Sequence, residues 1–102
     1  MEDPEELETV TVARRVIVSY DVRKGRRTEA SMIQQFVFGR DVWVKTKGGR
    51  KRYRYEGLVQ RPGVERVGQS VLLLREKDAE DLTSYLSKLR VPYYRERVWV
   101  EA

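Results

Sequence analysis

Apolar and polar residues alternate along residues 9–22, "TVTVARRVIVSYDV", with Val10, Val12, Val16, Val18, Tyr20 and Val22 in one phase. A period of two in β-branched residues predicts a long strand with those side chains on one face. Arg14 interrupts that face and predicts a bend or bulge. The period then changes to a helical one in "TEASMIQQFVFG", where Ala30, Ile33, Phe36 and Val37 make a buried stripe. Thr28 reads as its N-cap, Glu29 suits the positive helix end, and Gly39 ends it.

Alternation returns in "DVWVKT" and "KRYRYEGLV" on either side of "KGGR". This predicts a hairpin with Gly48 and Gly49 as its two turn residues, since a two-residue turn needs positive φ angles. "RPG" then breaks the chain, and "VGQSVLLLR" is apolar almost throughout, as a strand covered on both faces would be. Asp78 reads as the cap of a second helix with Ala79, Leu82, Leu86 and Leu89 inward, stopped by Pro92. "YYRERVWVE" is the last strand. The order predicts an α+β fold: a ferredoxin-like sandwich with an elaborated basic β-hairpin between its two β-α-β-type halves.

The chain has 102 residues, enough for a single domain, with 40% hydrophobic residues to build one small core. The first eight residues, "MEDPEELE", read as a flexible acidic tail ahead of a domain at 9–102. No apolar run reaches the roughly 20 residues a membrane helix needs, and the acidic start is unlike a signal peptide, so a cytoplasmic protein is expected. Cysteine and histidine are both absent. That excludes disulfides, Cys/His zinc sites, thiol nucleophiles and His-dependent triads. Asparagine is absent too, and charged residues make up 36%, a composition associated with thermophiles.

The net charge is +5, but residues 14–54 hold 13 Lys/Arg against three acids. Such an excess points to a polyanion, an acidic partner surface, or a face kept soluble by charge. With Gly48-Gly49 as the turn, Lys47 falls opposite Arg50, Lys45 opposite Arg52, and Trp43 opposite Arg54. Val42, Val44, Tyr53 and Tyr55 share the other face, with Thr46 and Lys51 toward the tip, and that face is free to be buried. Like charges directly across a hairpin destabilise it, whereas a phosphate backbone would reverse the sign. Trp43 beside cations suits base stacking. In the last strand Tyr93, Arg95, Arg97 and Trp99 share a face, which is how sheet-based RNA binders present stacking surfaces. Arg26 and Arg27, in "RKGRR" before a helix N-terminus, add an anion-attracting position.

"SYDV…GRR" before a helix, within residues 16–39, resembles the start of the small CRISPR spacer-acquisition subunits. Those are ferredoxin-like dimers with an aspartate after the first strand, which implies a metal-dependent nuclease built on Asp21. The QxSVFE-like segment of that family is not at the matching place, since "VGQSVLLL" comes about thirty residues late. From the residues themselves no acid–base pair stands out, and "KTKGGRK" lacks the spacing of a phosphate-binding loop. From the residues themselves, then, no cofactor or metal is expected. The expected function is a small, non-enzymatic nucleic-acid binder, with RNA slightly favoured over DNA. The hairpin Lys45, Lys47, Arg50, Lys51, Arg52 and Arg54 would contact phosphates, and Trp43, Tyr93 and Trp99 would stack. The alternative is a protein-interaction subunit of a larger complex or homodimer that docks its basic arm on an acidic partner.

Overall fold

The computed structural model describes residues 9–102, so the tail expected at residues 1–8 lies outside the described residues. The chain is α+β. Its elements run β1 (Val12–Tyr20), α1 (Arg27–Phe38), β2 (Arg40–Thr46), β3 (Gly49–Tyr55), a 3-10 turn (Leu58–Gln60), β4 (Glu65–Gly68), β5 (Val71–Leu74), α2 (Glu76–Lys88) and β6 (Tyr93–Glu101). Four strands form one antiparallel sheet in the order β4-β5-β1-β6, and β2 and β3 form a second sheet of their own.

β1 runs through the middle of the larger sheet because its period-two apolar residues can be buried and its backbone paired on both sides. It pairs with β5 from Val16↔Leu74 to Ser19↔Val71 and with β6 from Val12↔Glu101 to Tyr20↔Tyr93. The β6 ladder runs without a shift, so Arg14 carries no bulge. Arg14 lies on the face of Val16 and Val18 but stays exposed, and its guanidinium stands 5.2 Å from the ring centre of Trp99, its cross-strand neighbour. The charge is accommodated by that contact, and the backbone need not turn. The one irregularity in this sheet falls between Arg66 and Gly68.

Both helices supply buried residues to one core. Ile33 and Val37 come from α1, and Ala79, Leu82 and Leu86 from α2. They join Val16, Val18, Leu72, Leu74, Leu58 and Val91. Phe36 and Tyr85 stack at 4.3 Å between ring centres and link the helices. Ala30, expected in the stripe of α1, is exposed.

Two further expectations are corrected. "VGQSVLLLR" is not one strand, because the chain reverses at Gln69 and Ser70, with Ser70 at φ 62°. Leu72 and Leu74 are buried while Val71 and Leu73 on the opposite face are half-buried, so only one face is covered. The helix caps also differ. α1 begins at Arg27, with Arg26 at the N-cap and no side-chain cap bond, and α2 has Arg75 at its N-cap. Asp78 instead sits inside the first turn of α2, with its side chain fully buried. It accepts from Arg61 at 2.9 Å and from Arg75 at 3.2 Å. Burial alone would raise its pKa, but these hydrogen bonds outweigh it and hold the carboxyl below its ordinary value.

Candidate nucleic-acid interface

The β2–β3 hairpin leaves the body between two glycines. Gly39, at φ 85°, turns the chain out of α1. Gly57 brings it back against the same point, where an added Cβ would overlap backbone atoms of Gly39, Val37 and Phe38. Only glycine permits this crossing. Arg54 braces it, donating from Nη2 to the Phe38 carbonyl at 2.7 Å and lying 3.7 Å from the Asp41 carboxylate.

The observed register corrects the expected one. Thr46 pairs with Gly49, Lys45 with Arg50, Val44 with Lys51, Trp43 with Arg52, Val42 with Tyr53, and Asp41 with Arg54. Lys47 and Gly48 are therefore the turn, and the positive φ falls on Gly49, at 126°. The register differs by two positions, so the faces keep their expected membership although the partners change. Lys47 has no cross-strand partner, and Lys45↔Arg50 is the one like-charge pair facing directly across this hairpin. Trp43 meets Arg52, while Arg50 stands 5.6 Å from its ring centre.

The other face is not buried, contrary to expectation. Every residue of β3 is exposed, and Val44, Tyr53 and Tyr55 are all among the large exposed hydrophobics. The reason is the separate sheet: among the described residues the body meets the hairpin only near its base, where Val42 is half-buried and Tyr55 borders the helices. Residues 40–55 hold seven basic residues and one acid, so the projecting arm is a positive prong. Among the described residues, Lys45, Lys47, Arg50, Lys51 and Arg52 have no carboxylate partner. Isolated two-stranded sheets are marginal in water, and unmatched charge makes this one more so.

The remaining candidate residues are spread elsewhere. Arg26 donates to the carbonyls of Leu89 at 2.5 Å and Arg90 at 2.9 Å, closing the end of α2, and it pairs with Glu29. Arg27 is exposed at the first position of α1. Tyr93, Arg95, Arg97 and Trp99 do share a face, the one carrying Val16 and Val18 on which the helices pack. Arg95 is held by Glu76 at 3.1 Å and Glu80 at 2.8 Å, and Arg97 by Glu76 at 3.1 Å. The Arg97 hydrogen bond is the main reason the Glu76 carboxyl is lowered. These two charges are matched within the chain. Tyr93 and Trp99 are exposed, Trp99 by 64%. Asp21 is exposed beyond β1, and no group of three or more Asp/Glu that could hold a metal ion occurs among the described residues.

Three positions escaped sequence reading. Arg14 lies over Trp99, Arg40 stands 5.4 Å from the centre of the Tyr55 ring, and Gly57 closes the arm's base. The first was hidden because a lone arginine in an apolar face reads as an interruption. The others depend on where the arm meets the body. Among the described residues no helix is long and apolar enough to cross a membrane. No family model, curated protein or solved structure matches the chain.

Proposed function

We propose that the protein binds nucleic acid through the β2–β3 arm, without catalysing a reaction on it. The reading rests on one observation: five cations without carboxylate partners stand between Lys45 and Arg52 of an exposed two-stranded arm, two of them directly opposed as Lys45↔Arg50. A surface that destabilises its own hairpin by like-charge pairing gains when a polyanion releases its counterions to it. Trp43 on the same face adds a stacking surface, and exposed aromatics favour single-stranded RNA over duplex DNA. We also infer a ferredoxin-like sandwich. The order β4-β5-β1-β6 is that of two interleaved β-α-β units with the arm inserted after the first helix.

The test is the fluorescence of Trp43, isolated by Trp99→Phe, during titration with single-stranded RNA, duplex RNA and duplex DNA at two salt concentrations. Saturable quenching that weakens steeply with salt is expected. No response to any of the three at low salt would refute the proposal. A protein-interaction role is the second reading, favoured by the exposed Val44, Tyr53 and Tyr55 on the opposite face. Binding to an acidic protein that survives excess nucleic-acid competitor would select it.

A further inference from the structure

A cleft of about 390 Å³ opens where the arm meets the helices, lined by Met32, Gln35, Phe36, Tyr55, Glu56 and Tyr85 among others. Its walls are aromatic. Phe36 and Tyr85, stacked on each other at 4.3 Å, make one wall, and Tyr55, which carries the Arg40 guanidinium against its ring, makes another. Arg61 also reaches the cleft, but Asp78 and Asp81 take up its charge. Glu56 has no basic partner among the described residues.

We infer that this cleft receives one unpaired nucleobase of a single strand whose phosphates run along the arm. The inference rests on the arm's proposed role. Lys51, Tyr53 and Tyr55 share one face, with the Lys51 ammonium 5.4 Å from the Tyr53 ring centre. Four residues of strand carry that line roughly 13 Å toward the body and end at the cleft. Arg40, which also lines the cleft and has no carboxylate partner among the described residues, can hold a phosphate at the Tyr55 side, whereas the free Glu56 carboxylate repels one, so the group that faces Glu56 is the base. Glu56 accepts hydrogen bonds only, which suits a base carrying an exocyclic amino group. Flat aromatic walls suit its π-face.

The probe is a single-stranded oligouridine with one central 2-aminopurine, whose fluorescence falls when the base stacks. Saturating wild-type protein is expected to quench it. Tyr55→Leu alters an exposed ring and leaves the core intact, which a thermal melt verifies. It should restore the fluorescence and weaken single-strand binding by about 5- to 100-fold, with duplex affinity held within about twofold, since the duplex offers phosphates alone. Glu56→Gln should reduce the preference for 2-aminopurine over uridine. Persistence of the quench in Tyr55→Leu, or equal weakening of single strand and duplex, overturns the cleft while the arm stands. Failure of the wild type to bind either form at low salt overturns both.

Discussion

The Lys45↔Arg50 pair allows binding to be weakened without loss of stability. If the five unpartnered cations between Lys45 and Arg52 all meet phosphates, log K should fall with log salt at a slope of about −4.5 on duplex DNA and about −3.5 on a single strand. Lys45→Gln with Arg50→Gln removes two of the five. The slope should then become shallower by about 1.8 on duplex and about 1.4 on single strand. The same change relieves a directly opposed like-charge pair in an exposed hairpin, a gain of roughly 0.2–1 kcal/mol that offsets the loss of the exposed Arg50–Trp43 contact, so the arm should be no less stable. Affinity is measured by fluorescence anisotropy from 50 to 300 mM salt, and arm stability by hydrogen exchange of the β2–β3 amides. Weaker, less salt-sensitive binding with unchanged or increased protection is expected. An unaltered slope would refute the reasoning, because the charges would then serve solvation alone. Loss of protection together with affinity would refute it differently, since the pair would be supporting the hairpin rather than straining it.

Other consequences concern the scaffold. Asp78→Ala removes the buried acceptor shared by Arg61 and Arg75, and because both arginines can return to water the cost should be about 2 kcal/mol in urea unfolding; a loss below about 0.5 kcal/mol would show that the bonds are not formed in solution. As the Asp78 pKa is lowered in the fold, its ionised form contributes stability above its unfolded value, about 3.9. That contribution disappears as pH falls through the lower folded value, so Asp78→Asn should flatten the acid limb of a stability–pH curve. Gly57→Ala places a Cβ into backbone atoms of Gly39, Val37 and Phe38 and should cost about 1–3 kcal/mol. Gly48→Ala, with open space around it, should stay within about 1 kcal/mol of wild type, and equal melting temperatures for the two would contradict the crossing at the arm's base. Arg26→Ala leaves the Leu89 and Arg90 carbonyls without their side-chain donor and should lower stability by about 1 kcal/mol, read as earlier hydrogen exchange at the end of α2.

Period and charge made several features legible in the chain. The alternation in β1 and β6, the two helices ending at Gly39 and before Pro92, and the inward residues Ile33, Val37, Ala79, Leu82 and Leu86 all appear in the structure. The two faces of the hairpin survive a register shift of two positions because side chains alternate with a period of two. Composition determined the concentration of positive charge along residues 14–54 and excluded Cys- and His-based chemistry.

Tertiary structure decided the rest, since partners distant in sequence choose between locally equivalent options. Whether Val44, Tyr53 and Tyr55 are core or surface depends on whether anything packs over the arm, which no local pattern records. Asp78 has the residue type of a cap, but Arg61, seventeen positions earlier, makes burial of its carboxylate affordable. Arg95 and Trp99 share one strand face and one sequence pattern. Arg95 lies beneath α2, where Glu76 and Glu80 claim its charge, and Trp99 lies past the end of that helix in solvent. Alternation names the face of a side chain. The length and position of the helix packed on that face determine which of its residues remain free to bind.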